Sequence, residues 1–267
     1  MNLVRLFFAL LLCIMVLPTT QAEPCQSITV SAHENYPPFH WYHDGEFYGV
    51  TIDITKQLLE RYQVDYQVSS PVPWKRLLEM AKHGRTDLLL GLKDTPARRE
   101  FLNFTSAPVL NNPVAVFVKK GEEFSFIDWR SLIGKVGNIN LGDSHGEAFD
   151  NFANQYLNIQ QVKGLAQNFQ MVLRGRADYF VTGYYPGISY LSNSGLKDEI
   201  VALTPFAVDG YIHFGFVKDS GCDKLLARFN QDLASLIKTE TIAQLFEKNL
   251  MLWQAQLNGE RQRLELH

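Results

Sequence analysis

The sequence predicts an α/β fold of two similar lobes, each a mixed, mainly parallel sheet flanked by helices, with one lobe inserted in the other. Two observations predict it. Apolar runs of strand length alternate with segments whose apolar residues recur at helical spacing, the signature of strands joined by crossover helices. A helix-glycine-aspartate-strand arrangement at Gly84-Arg85-Thr86-Asp87 recurs at Gly175-Arg176-Ala177-Asp178, as duplicated lobes would require.

The first residues indicate export. Met1 to Arg5 carry a positive charge, Leu6 to Leu17 are unbroken apolar residues, and Pro18-Thr19-Thr20-Gln21-Ala22 follows. That order is a signal peptide over residues 1–22, cleaved after Ala22. The apolar run is shorter than the roughly 20 residues a membrane span needs. The mature chain is expected to lie free in the periplasm, where Cys25 and Cys222 meet conditions that preserve disulfides. Sequence leaves open whether the two pair. Net charge is −3 and no block of lysine and arginine stands out, which argues against a nucleic-acid partner. The seven histidines are scattered and the cysteines lack ligand spacing, so no metal and no cofactor is expected.

The elements follow in order. Ile28 to Ala32 reads as a buried strand, and His43-Asp44-Gly45-Glu46 as a hairpin turn between aromatic stretches. Ile52 to Tyr62 has helical spacing, Val64 to Val68 alternates, Trp74 to His83 is a helix stopped by Gly84, and Asp87 to Gly91 is a buried strand. The pattern restarts after Pro108. Val114 to Val118 is a strand, and Gly142 to Gly146 opens a helix that runs to Tyr156. Phe169 to Arg174 is a helix, Ala177 to Thr182 a strand, and Ile212 to Val217 a late strand. Lys224 to Asn249 supplies two closing helices, with a fraying tail from Leu257. The expected lobes are 23–112 with 210–267, and 113–209. Their hinges lie near Asn111-Asn112-Pro113 and Val208-Asp209-Gly210.

With the elements laid out, the motifs carry a resemblance. Gly91 to Thr105, GLKDTPARREFLNFT, has a strand end, then Thr-Pro-x-Arg, then an apolar pair before Asn-Phe-Thr, similar to a pattern that ends in Asp-Phe-Ser. Tyr36-Pro37-Pro38-Phe39, Gly49 to Ile54, Gly84 to Asp87, Gly134-Lys135 through Gly142-Asp143-Ser144, and Gly175 to Asp178 occur in matching order. Over Ile28 to Leu250 the chain resembles the periplasmic solute-binding proteins, family 3, of polar amino-acid ABC transporters. That resemblance implies a type II periplasmic binding protein fold, a monomer without enzymatic activity, and an inner-membrane permease as partner. Its two lobes would close on a small carboxylate-bearing ligand.

Residue by residue, Arg98 matches the arginine that clamps the ligand carboxylate, a role suited to a guanidinium fork. Ser144, with Asp143, sits where a helix N-terminus would present free N–H groups to the same anion. Tyr36 and Trp74 match rings that stack on the ligand, and Gly91 and Lys93 stand at the end of the first lobe's strand.

The departures are informative. Gly183 stands where relatives carry an aspartate for the ligand's ammonium, Thr51 replaces a frequent acid, and Lys93 adds a cation. The expected ligand is therefore an acid with an apolar part. It should lack a free α-amino group unless Glu34 or Asp209 pairs with it. Two alternatives come from other classes. One is a sensory module serving a separate membrane partner. The other is an enzyme resembling a cyclohexadienyl dehydratase, with His33, Glu34 or Lys93 as its general acid.

Overall fold

The structure is a computed structural model and describes residues 25–265. The expected signal peptide lies outside the described residues. Alternation of Ile28 and Val30 into the core makes β1 (Ser27–Ser31) a buried strand. A small meander follows, β2 (Asn35–Tyr36), β3 (His40–His43) and β4 (Glu46–Tyr48). Its last turn places Asp44 and Gly45 at φ 47° and 92°, the left-handed pair that matches strand twist in a two-residue hairpin. Then come α1 (Val50–Tyr62), β5 (Asp65–Val68), α2 (Trp74–Lys82), β6 (Leu88–Leu92), the single turn α3 (Pro96–Arg99), β7 (Leu102–Phe104) and β8 (Leu110–Asn111).

The chain then crosses to a second sheet. This part contains β9 (Val114–Lys119), β10 (Val136–Asn140), α4 (Glu147–Tyr156), β11 (Asn158–Val162), α5 (Leu165–Leu173), β12 (Tyr179–Gly183), α6 (Tyr184–Ser194) and β13 (Ile200–Ala202). It returns with β14 (Tyr211–Val217), α7 (Leu226–Lys238) and α8 (Thr241–Glu265).

The first large sheet has strand order β5-β1-β6-β14-β7, with β8 added to β14. The second has order β11-β10-β12-β9-β13. In each, three parallel strands meet one long antiparallel strand: β14 beside β6, and β9 beside β12. The repeated glycine-aspartate motif has a shared cause. Asp87 accepts the backbone N–H of Thr29 at 2.7 Å, and Asp178 accepts that of Val136 at 2.7 Å. Each carboxylate thus pins the start of the neighbouring parallel strand.

Apolar cores match this division. One cluster joins β1, β6 and β14 to α1 and α7, and two more lie on opposite faces of the second sheet. Cys25 and Cys222 are joined in a disulfide, with Cα atoms 4.9 Å apart. Loop-closure entropy makes such a link, spanning 197 residues, strongly stabilising.

Two local expectations are corrected. α4 begins at Glu147 with Gly146 as its cap, so Gly142 to His145 form a loop before the helix. The segment from Leu257 continues α8, and Leu257 packs with Trp41 and Trp253 in a small buried cluster. Tryptophan contacts from β3 and from α8 itself hold this turn in place.

Candidate ligand-binding site

A cavity of about 180 Å³ lies between the two sheets, at the carboxyl ends of their parallel strands. The segments after β1 and β6, the start of α2, and α3 form one wall. The segments after β10 and β11 and the end of β12 form the other. All seven residues singled out from sequence, Tyr36, Trp74, Gly91, Lys93, Arg98, Asp143 and Ser144, line it.

Arg98 is placed by a one-turn helix. Thr95 caps α3, accepting the Arg98 backbone N–H, and Pro96 presets its first turn. The side chain is buried, at 6% exposure. Its Nη1 donates to the Lys93 carbonyl at 2.9 Å, and the guanidinium lies 5.5 Å from the centre of the Trp74 ring. No carboxylate pairs with it among the described residues. Burial pulls its pKa down, opposed by the more distant Asp143. Arg99, by contrast, is exposed and paired with Asp94 at 2.6 Å. Burying a cation without a counter-ion is costly.

Lys93 turns inward. Its Nζ stands where a side chain at Gly210 would meet it at 2.5 Å, and burial lowers its pKa to about 8, resisted by Asp150. Asp143 receives a hydrogen bond from Asn140 Nδ2 at 3.2 Å. Burial raises its pKa to about 6, while Asn140, Arg98 and Lys93 favour its charge. The cavity therefore does hold an acid. Asp209 is exposed and does not line the cavity, and Glu34 is an exposed group on its wall.

Ser144 differs from its expected part as a helix-terminal anion donor. It lies three residues before α4, and its hydroxyl donates to the Asp150 carboxylate, which also accepts the His145 N–H at 2.9 Å. An acid in the first turn of the helix has taken the donors that a ligand anion would use.

Three histidines, His40 and His145 buried and His33 half-buried, escaped the sequence reading as a group because their spacing follows no motif. Thr51 spends its hydroxyl proton on the Phe39 carbonyl at 3.1 Å, so His40 Nδ1 must donate to Thr51, at 2.9 Å. His33 Nδ1 accepts the Asn35 N–H at 2.9 Å, which leaves its proton on Nε2. Burial keeps His33 down at about 4, His40 well below its ordinary value and His145 at about 3, so all three are neutral near pH 7. Gly91 makes room for His40. It has φ 60°, and a Cβ there would lie 2.8 Å from the His40 ring. Trp74 and His33 pack at 5.9 Å, and the Trp74 indole donates to the Gly142 carbonyl at 3.2 Å. Gly183 also lines the cavity. A side chain there would collide with the carboxamide of Asn112.

Residues 28–251 match the bacterial extracellular solute-binding proteins, family 3. The chain belongs to this family. Among curated proteins, no relative matches the sequence. Several solved structures share its fold. An amino acid ABC transporter substrate-binding protein from Streptococcus pneumoniae, bound to L-arginine, is 17% identical with a TM-score of 0.72. The alignment covers 85% of this chain and 96% of that one. A histidine kinase sensor domain similar to periplasmic binding proteins is 20% identical with a TM-score of 0.72, over 84% and 96% of the two chains. An ancestral amino-acid-binding protein, a precursor of cyclohexadienyl dehydratase, is 23% identical with a TM-score of 0.68, over 84% and 95%. These likenesses establish the two-lobed periplasmic binding protein fold, type II, for this family member.

Proposed function

We propose that this solute-binding protein is exported to the periplasm and captures a small carboxylate-bearing ligand, an amino acid or organic acid, between two closing lobes. It then delivers the ligand to an ABC-type permease. The lobes are residues 23–112 with 210–267, and 113–209. They turn about the paired connections at Asn112 and Gly210, whose backbones bond at 2.6 Å.

One observation carries this reading. Arg98 is buried in the cavity wall with no carboxylate partner among the described residues. A ligand carboxylate supplies the missing counter-ion through two parallel charge-assisted bonds, and Lys93 adds a second positive charge. Asp143 is the acid that meets an ammonium if the ligand has one, taking the part for which Gly183 has no side chain. The surrounding wall of Trp74, Tyr36 and Pro186 accepts an apolar body. Ligand binding favours the closed form because both walls contribute contacts only when the lobes meet.

The test is a thermal-shift and calorimetric panel of L-arginine, L-glutamate, L-phenylalanine, 2-oxoglutarate and phenylpyruvate. At least one acid is expected to stabilise the protein, and Arg98→Ala should remove that shift while the ligand-free protein still melts cooperatively. Stabilisation by none of the acids, or stabilisation that survives Arg98→Ala, overturns the reading.

A further inference from the structure

Asn112 lies in the first connection between the sheets and is fully buried. Its backbone N–H donates to Gly210 of the second connection at 2.6 Å. A side chain at Gly183, on β12, would strike its carboxamide, and one at Gly210 would strike its carbonyl oxygen. Two side-chain-free backbones thus clamp this asparagine, one at its carboxamide and the other at its main-chain carbonyl.

Its Nδ2 donates to the Tyr36 hydroxyl at 2.5 Å, while its Oδ1 is buried without a partner. The direction of that bond matters. A phenol has one proton and two lone pairs. Asn112 occupies a lone pair, so the Tyr36 proton is left to donate elsewhere, and no acceptor takes it among the described residues. Tyr36 lines the cavity, its ring fixed between Phe39 at 5.2 Å and His40 at 5.3 Å. Arg98 and Asp143 are near enough to act electrostatically on the phenol. Asp143 accepts no hydrogen bond from it.

We propose that Asn112 is a positioning residue that aims the Tyr36 hydroxyl proton at the ligand's carboxylate beside Arg98. This inference rests on the carboxylate-binding reading above. It gives Tyr36 a polar role in addition to ring contact, and it ties a ligand-binding donor directly to the connection about which the lobes turn. Because the clamp consists of Gly183 on β12 and Gly210 of the second connection, Asn112 holds its geometry only while β12 and both connections keep their present places.

The experiment is a double-mutant cycle over the five acids named above, with dissociation constants from calorimetry. Tyr36→Phe should weaken the binding acids about tenfold. Asn112→Leu, close in shape but without the amide, should cost about tenfold when Tyr36 is present and less than twofold when position 36 is phenylalanine. An equal loss in both backgrounds makes Asn112 merely structural, and no loss in Tyr36→Phe shows that the hydroxyl does not meet the ligand. Either result overturns the inference while the Arg98 reading stands. Should Asn112→Leu not fold, Asn112→Asp serves. Its carboxylate would capture the phenol proton, and its cost must be greater with Tyr36 than with phenylalanine. The ligand-free protein gives a second readout. The Tyr36 13Cζ resonance should shift in Asn112→Asp, and an unchanged resonance refutes the assigned bond. If no acid binds the parent, the carboxylate reading falls, and this resonance still tests whether position 112 is bonded to the Tyr36 hydroxyl.

Discussion

Trp74 donates its indole N–H to the carbonyl of Gly142 at 3.2 Å, so the start of α2 and the loop after β10 are bonded directly across the cavity. Gly142 has φ 87°, and a side chain there would press on Lys75 at 3.2 Å. The close approach of the two walls at this point depends on that glycine. Trp74→Phe keeps a ring beside Arg98 and loses the donor. A single net hydrogen bond contributes about 1 kcal/mol. Acids that bind the parent should bind this variant roughly fivefold more weakly by calorimetry.

Asp143 links the site to pH. Burial raises its carboxyl to about 6, above the ordinary aspartate range, so the fold prefers its protonated form. Its favourable contribution is complete below the unfolded value near 4 and is lost as pH rises through about 6. Asp143→Asn should therefore stabilise the ligand-free protein by about 1–2 kcal/mol at pH 7.5. That gain should fade toward pH 4 in urea titrations. A gain that grows on acidification would contradict the assigned direction.

Lys93 predicts the opposite limb. Desolvation lowers its pKa to about 8, so its positive charge disappears at mildly alkaline pH. Affinity for a carboxylate should fall as pH rises from 7 to 9. In Lys93→Met the affinity should be about tenfold weaker at pH 7 and flat across that range. Calorimetry at four pH values checks both statements.

The disulfide predicts a change in stability without a change in the site. Cys25 and Cys222 lie at the edge of the first core, away from the cavity lining. Replacing both by serine should lower stability by about 2–4 kcal/mol. The dissociation constants of the acids that bind should remain within twofold.

Much of the first sheet and of the site was legible in sequence because the signals are local. The strand runs and the glycine-aspartate repeats act through neighbours only a few residues away, so they mark β6 and β12 wherever the rest of the chain goes. The Thr-Pro-x-Arg segment was legible only as a motif, and its one-turn helix α3 came from the structure. Shorter strands such as β7, β8 and β13 left no such pattern, because two or three residues cannot establish a period. The helix α6 was equally hidden. Its sequence, YYPGISYLSNS, contains proline and glycine inside its first turns and is poor in strong helix formers. Packing of Pro186, Gly187, Ser189 and Leu191 holds it instead.

By itself, the sequence determined the α/β alternation, the family motifs and the candidate cation at position 98. Tertiary structure alone decided the rest. Asp150 captures the Ser144 hydroxyl, Lys93 faces inward, Cys25 meets Cys222, and Asn112 fills the space beside Gly183. The physical reason is separation along the chain. A cap or a strand period is written within a few residues, whereas burial, shared hydrogen bonds and the loss of water around a charge arise only when distant segments pack together.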